Sequence, residues 1–205
     1  MSLDLIIGCM FSGKSTEIIR TINRLNTINE SYLIIKPIAD NRYSCTMIQT
    51  HDNLQRKCEV RRFLLPLFEN ESYVSSTYII IEEAQFFEDL EPFVLKAVDQ
   101  DKKKLIVVGL DGDSNRNNFG DIHKLIPLCD NIIKLKALCL MCKDGNEAIF
   151  SKRISKDKGQ TCIGSADKYM AVCRECFLEE EEQAEQLEQE QVDQSDEGEE
   201  FKKKI

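Results

Sequence analysis

Apolar residues in this chain fall into two alternating patterns. Short runs rich in Ile, Leu and Val occupy residues 3–7, 32–35, 78–81, 105–108 and 132–135, and continuous apolar runs of this length read as strands buried on both faces. Between the first two runs, Ile18, Ile19, Ile22 and Leu25 recur at intervals of three and four, which predicts a helix with one apolar face turned toward the strands. A second helix is predicted where Pro92 occupies the first turn and Phe93, Val94, Ala97 and Val98 continue the stripe. Strands alternating with helices predict an α/β fold with a mostly parallel sheet.

The first helix begins at Gly8-Cys9-Met10-Phe11-Ser12-Gly13-Lys14-Ser15-Thr16, a full match to G-x-x-x-x-G-K-[ST] between a strand and a helix. Glycines let the backbone curl so that successive N–H groups and the helix N-terminus face phosphate oxygens. In such a loop Lys14 bridges the β- and γ-phosphates of ATP and the Ser15 hydroxyl ligates Mg²⁺. The run at 78–81 delivers Glu82 and Glu83 at its C-terminal end, followed by Ala84-Gln85-Phe86-Phe87. Ligands bind at that end of strands in open α/β sheets. Two adjacent acids there suit a division of labour, one holding Mg²⁺ and one accepting a proton, although Glu is also common at solvated strand ends. The two Phe offer a planar base a stacking surface or simply fill the core.

Nine cysteines include two C-x-x-C pairs, Cys139/Cys142 and Cys173/Cys176, separated by 30 residues. Such pairs read as a Cys₄ zinc site, with redox dithiols as the alternative, and a closed Cys₄ shell is structural because no position is left for substrate. The spacer exceeds the common ribbon range, so the intervening loop is long enough for a role of its own. Cys9, Cys45, Cys58, Cys129 and Cys162 read as small hydrophobes or free thiols.

Formal charge is −9, but residues 179–205 hold 12 acids against 3 Lys; removing these from the totals of 36 and 27 leaves 24 of each sign in residues 1–178. A balanced body lacks the basic stripe that a nucleic-acid polymer requires, and a small charged ligand suits it better. The Glu- and Gln-rich tail cannot bury a core and reads as disordered. No apolar run approaches a membrane span and no leader pattern opens the chain, so a cytoplasmic protein with no membrane partner is expected.

Taken in order, the Met-Phe-Ser of the phosphate loop, Glu83-Ala84-Gln85-Phe86-Phe87, Gly109-Leu110-Asp111-Gly112, Glu147-Ala148 with Ser151-Lys152-Arg153, and Gly164-Ser165-Ala166-Asp167-Lys168-Tyr169 resemble type II thymidine kinases over residues 3–177. The resemblance implies a RecA-like P-loop domain (1–137), a zinc domain with a long lasso loop (138–177, the lasso within 147–169) and the acidic tail (178–205). It implies transfer of the γ-phosphoryl of ATP to the 5′-hydroxyl of thymidine, with Mg²⁺ and structural Zn²⁺, a homotetramer, and feedback by dTTP. Glu83 resembles the catalytic base, and Arg42 the arginine that reaches the phosphates. Magnesium falls to Ser15, Asp40 and Glu82, with Glu82 standing where the family usually has Asp. The nucleoside falls to Met10, Gln85, Phe86, Leu110, Phe119, Ser151, Ile163, Gly164 and Tyr169, with Arg153 supporting the lasso. Ser114 replaces a frequent Phe, and Ser151 a Thr that approaches the 5-methyl group. His51 and His123 have no catalytic part in this scheme. The rival is a zinc-ribbon P-loop ATPase acting on nucleic acid; it leaves Glu83 beside Gln85-Phe86 and the long loop before Tyr169 unexplained. A non-enzymatic adaptor would explain only the acidic tail.

Overall fold

A computed structural model describes residues 1–40, 47–49, 55–155, 159–160, 164 and 166–179. Its elements run β1 (Ser2–Gly8), α1 (Lys14–Thr27), β2 (Tyr32–Pro37), β3 (Met47–Gln49), β4 (Gln55–Lys57), β5 (Glu59–Arg61), α2 (Glu71–Ser75), β6 (Tyr78–Ile81), α3 (Leu90–Leu95), β7 (Lys104–Gly109) and β8 (Asn131–Leu135). Then follow β9 (Ala137–Leu138), β10 (Glu147–Ala148), β11 (Phe150–Arg153) and β12 (Tyr169–Val172). The five strands and two helices expected from the apolar runs are all present, each within a residue or two of the expected bounds apart from the second helix. That helix begins two residues before Pro92 and ends in a single π turn, Lys96–Gln100.

Six strands form one sheet in the order β5-β2-β6-β7-β1-β8, and every neighbouring pair is parallel. Alternation along each strand divides the apolar side chains between two cores. Leu5, Ile35, Ile79, Ile81 and Val107 face α3 through Phe93, Val94 and Ala97. Ile6, Ile34, Ile80, Ile106 and Val108 face α1 through Ile18, Ile19 and Ile22. Each of these fully buried Ile side chains contributes about 1.5–3 kcal/mol on transfer from water, so α1 is pinned to the sheet by packing.

That parity also places polar side chains. Lys36 follows Ile34, and Glu82 follows Ile80, so both stand on the α1 side at the C-terminal ends of neighbouring strands. The amide of Glu82 donates to the Ile35 carbonyl at 2.8 Å, extending the β2–β6 ladder by one bond. All six strands therefore end where α1 begins.

Beyond β8 the chain builds a second, smaller unit from two antiparallel pairs, β9–β10 and β11–β12. Bonds from Leu140 N to Ala171 O (3.0 Å) and Ile149 N to Val172 O (3.1 Å) join the pairs. The residues expected to form the lasso thus begin in β10 and β11 and end at the start of β12. No described helix is long and apolar enough to cross a membrane.

Candidate active site

The phosphate loop closes through its own backbone and side chains. Gly13 adopts φ +85° at the N-cap of α1, and no side chain caps the helix, so its first-turn N–H groups remain for an anion. Gly8 is held against β8: a Cβ there would lie 2.4 Å from the Leu135 carbonyl oxygen. Ser12 Oγ donates to the Cys9 carbonyl at 2.8 Å, and Lys14 Nζ donates to the carbonyls of Gly8 (3.1 Å) and Cys9 (2.7 Å), spanning the loop's mouth. Phe11, at φ +64°, packs against the smaller unit, while Thr16 is exposed in the first turn of α1.

The two acids after β6 diverge. Glu82, buried, accepts a hydrogen bond from Ser15 Oγ at 2.5 Å. Asp40 is also buried, with an oxygen 3.9 Å from the ammonium of Lys36. Ser15, Glu82 and Asp40 offer a hydroxyl and carboxylates, the oxygen donors that a hard cation such as Mg²⁺ takes. Lys36, 1% exposed, is the buried cation of this cluster. Nothing in the sequence marks it, because one Lys after an apolar run resembles a solvated strand end. Cys58 adjoins the same charges: burial pushes its thiol up to about 11, with Lys36 opposing and Glu82 and Asp40 reinforcing the shift.

Glu83 turns the other way because its backbone is left-handed, φ +51° and ψ +44°. That conformation costs a non-glycine residue about 1–2 kcal/mol, and it aims the carboxylate into a cleft of ≈ 510 Å³, open mouth included. Gln85 fixes it there. Its Nε2 donates to Glu83 Oε2 at 2.6 Å, while its Oε1 accepts from Leu110 N at 3.0 Å, which also settles which end of the amide is which. Two glycines make room: a Cβ at Gly109 would lie 2.4 Å from Gln85 Oε1, and one at Gly120, φ +59°, would lie 2.0 Å from the Gln85 carbonyl oxygen. Gln85, expected to touch the nucleoside, lines the cleft with its amide engaged by Glu83 and Leu110.

The cleft gathers most of the other expected contacts. Met10, Phe86, Leu110 and Phe119 line it, with Phe86 and Phe119 edge to face at 5.3 Å between centroids and 79° between planes. Phe87, the second aromatic of the pair, is 1% exposed in the α3-side core. Ser151, Gly164 and Tyr169 line it from the smaller unit. Ser151 Oγ accepts a buried hydrogen bond from Met10 N at 2.9 Å, tying that unit to the phosphate loop. The Tyr169 hydroxyl accepts from Arg153 Nη2 at 2.9 Å. Arg42, Ile163 and His51 lie outside the described residues. His123 sits half-buried away from the cleft, on the 3₁₀ turn Ile122–Leu128. Asp113 and Gln160 were not anticipated; both line the cleft. Asp113 reads as an ordinary turn residue, and Gln160 carries no signal in the sequence.

Cys139, Cys142, Cys173 and Cys176 converge, their sulfurs all within 4.8 Å of one another. A tetrahedral Zn–S shell sets sulfurs ~3.8 Å apart, so the cluster fits one ion with little adjustment. Cys173 N and Cys176 N point at Cys139 Sγ (3.3 Å) and Cys173 Sγ (3.5 Å), polarising the thiolates a metal needs. Burial disfavours the Cys139 thiolate, yet backbone N–H groups of Cys173, Cys142 and Met141 outweigh it and bring its pKa to about 6. Cys142 is raised to about 11, first by its bond to Asp144, and Cys176 to about 12, first by its bond to Cys173. The cluster shares a small core with Ala148, Ala171, Val172 and Phe177, and with Cys9 of the phosphate loop.

A thymidine kinase of rice is 40% identical over 182 residues, covering 86% of this chain and 66% of that protein. A chicken protein described as thymidine kinase, cytosolic, is 36% identical over 88% of this chain and 79% of its own length. The thymidine kinase of vaccinia virus strain Western Reserve is 38% identical over 86% of this chain and 97% of its own length. The family profile described as Thymidine kinase matches residues 1–177, which take in the phosphate loop, Glu83 and all four clustered cysteines; the chain belongs to the thymidine kinase family.

Proposed function

We propose that this protein transfers the γ-phosphoryl group of ATP to the 5′-hydroxyl of thymidine. One observation carries the reading: Glu83 is held in a strained conformation with its carboxylate lining the cleft that Phe86 and Phe119 also line, oriented by Gln85, while its neighbour Glu82 bonds the phosphate-loop serine. Phosphoryl transfer asks little covalent chemistry of a protein; it needs reactants aligned and charge neutralised, with one group to receive the hydroxyl proton.

Glu83 accepts the 5′-hydroxyl proton as that oxygen attacks the γ-phosphorus. Lys14 leaves the loop carbonyls for the phosphate oxygens, and the N–H groups at the start of α1 hold the negative charge. Ser15, Asp40 and Glu82 hold Mg²⁺, which supplies charge neutralisation at the phosphates. Arg42 joins them from outside the described residues. Phe86 and Phe119 with Met10 and Leu110 clasp the pyrimidine; Ser151, Gly164 and Tyr169 cover it from the lasso, and the contact expected of Ile163 falls outside the described residues. Zn²⁺ at the four cysteines fixes both ends of that loop, a structural task. The division into an ATP domain (1–137), a zinc-and-lasso domain (138–177) and a tail (178–205) belongs to this reading. So do a homotetramer, feedback by dTTP and a cytoplasmic setting.

ADP release measured with thymidine, with deoxyuridine and with single-stranded DNA tests the reading. Turnover that needs thymidine supports it. Stimulation by DNA with no response to thymidine would overturn it in favour of a nucleic-acid-dependent ATPase.

A further inference from the structure

Across the mouth of the cleft, Gln160 of the lasso and Asp113 of the 110–119 loop make one direct contact. Gln160 Nε2 donates to Asp113 Oδ2 at 2.9 Å and, more weakly, to the Asn118 carbonyl at 3.3 Å. Asp113 is prepared for this. It is 7% exposed, and its other oxygen, Oδ1, accepts from the backbone amides of Asn115 (2.8 Å) and Asn117 (2.9 Å). Asn117 O in turn accepts from Asp113 N at 3.0 Å. With Oδ1 committed to its own loop, the carboxylate is locked in orientation and presents Oδ2 to the lasso.

The lasso side is equally fixed. Arg153 on β11 donates to the carbonyls of Gly159 and Gln160, the latter at 3.1 Å, and to the Tyr169 hydroxyl at 2.9 Å. One hydrogen-bonded circuit therefore runs from Tyr169 through Arg153 to the Gln160 backbone, along the Gln160 side chain to Asp113, and into the 115–117 backbone. Phe86, Phe119 and Ser114 stand inside this rim. Both N–H bonds of the Gln160 amide are spent on acceptors of the 110–119 loop, which makes the side chain a polar brace between the two segments at the cleft mouth.

We propose that the Asp113–Gln160 pair is a positioning device that sets affinity for the nucleoside by holding the lasso at its bound distance from the 110–119 loop, without entering the phosphoryl-transfer step. The inference rests on the nucleoside-kinase reading of the cleft. Ordering the two walls in advance removes part of the cost of ordering them at binding, so losing the brace raises KM and leaves the chemistry of bound substrate alone.

Gln160→Ala, Gln160→Glu, Asp113→Asn and the double variant Asp113→Asn/Gln160→Glu form the test. A hydrogen bond to a carboxylate, once broken, corresponds to about a tenfold loss or more. Thymidine KM should rise about tenfold in Gln160→Ala and further in Gln160→Glu, where two carboxylates meet, with kcat and the KM for ATP within about twofold of the parent. The double variant exchanges donor and acceptor between the two side chains and keeps Oδ1 for the two backbone amides; it should recover part of the loss, falling below both Gln160→Glu and Asp113→Asn in KM without reaching the parent, because the oxygen that replaces Nε2 loses the bond to the Asn118 carbonyl. Hydrogen exchange of the full-length protein without substrate supplies the second readout: peptides spanning 150–172 exchange faster in the single variants and recover in the double. Unchanged KM in Gln160→Ala, or a double variant no better than its singles in both readouts, overturns the proposal. If the parent fails to phosphorylate thymidine, the functional reading falls, and exchange alone still decides whether the brace exists.

Discussion

Ser15 Oγ donates to Glu82 Oε1 at 2.5 Å, joining the second residue of α1 to the residue that follows β6. Glu82 reaches it because the strand's alternation puts its side chain on the α1 face, above Ile80 and beside Lys36. Aspartate, one methylene shorter, would end short of the hydroxyl. In this chain the longer acid and the serine hydroxyl meet directly, so metal binding has to rearrange a hydrogen bond that is already made.

Glu82→Asp should accordingly release Ser15 and lower the Mg²⁺ concentration for half-maximal turnover, by a few-fold, about the worth of one hydrogen bond. Titrating Mg²⁺ at saturating ATP and thymidine measures it. An unchanged or higher requirement would mean that the Ser15–Glu82 contact does not compete with the metal.

Glu83→Gln should lower kcat by about 10²–10⁴ and leave ATP affinity near that of the parent, because the amide keeps the shape and loses the base. Backbone strain supplies a second comparison at the same site. Glycine is relaxed at φ +51°, and alanine is not, so Glu83→Gly should exceed Glu83→Ala in stability by about 1 kcal/mol. Urea denaturation of the two inactive variants would reveal it.

Burial raises the Cys58 thiol from 9.0 to about 11. At pH 8 the folded protein should carry about a hundredfold less thiolate there than an unfolded chain does, and iodoacetamide should label Cys58 slowly until the pH approaches 11. The linked effect on stability has a definite sign. The contribution is fully present below pH 9.0, the unfolded value, and is lost as pH rises through about 11, because the unfolded chain releases its proton first. Peptide mapping after timed alkylation checks the site; ready labelling at pH 8 in native protein would refute it.

Ser151→Ala leaves the buried Met10 amide without its acceptor and should destabilise the protein by about 1–3 kcal/mol. Ser151→Thr keeps the hydroxyl and should retain most of that stability. Thermal denaturation of both variants decides whether the bond from Met10 to Ser151 joins the two units or is incidental.

Chelating zinc, or Cys176→Ser, should raise the KM for thymidine more than that for ATP, because the metal fixes both ends of the lasso. ATP affinity should also weaken somewhat, since Cys9 and Phe11 of the phosphate loop pack in the same cluster as the cysteines. Metal analysis should find one zinc per chain in the untreated protein, and equal losses for both substrates would argue against the lasso as the main casualty.

Local features were legible in the residues alone. The phosphate loop could be read because its glycines, Lys14 and Ser15 work through backbone geometry within nine residues, and the sheet because both-face burial leaves runs such as Tyr78–Ile81 without polar interruption. The cysteine cluster was legible because C-x-x-C is itself half a metal shell. Gln85 was harder. Its sequence context suggested a substrate contact, and only the approach of Leu110 N and the clearance left by Gly109 and Gly120 reveal that its amide is occupied in holding Glu83.

By itself the sequence determined five strands of the sheet and the two helices against it, the nucleotide loop, the acids at the end of β6 and the two cysteine pairs, while the edge strand β5 and the short strands β3, β4 and β9–β12 left no pattern long enough to read. Tertiary structure decided which of Glu82 and Glu83 faces the phosphate loop and which the cleft, that Phe86 lines the cleft while Phe87 fills the core, and that Gln160 meets Asp113 across 47 positions. Those outcomes turn on one left-handed residue and on loops brought together from distant parts of the chain. Contacts of that kind leave no periodicity to read.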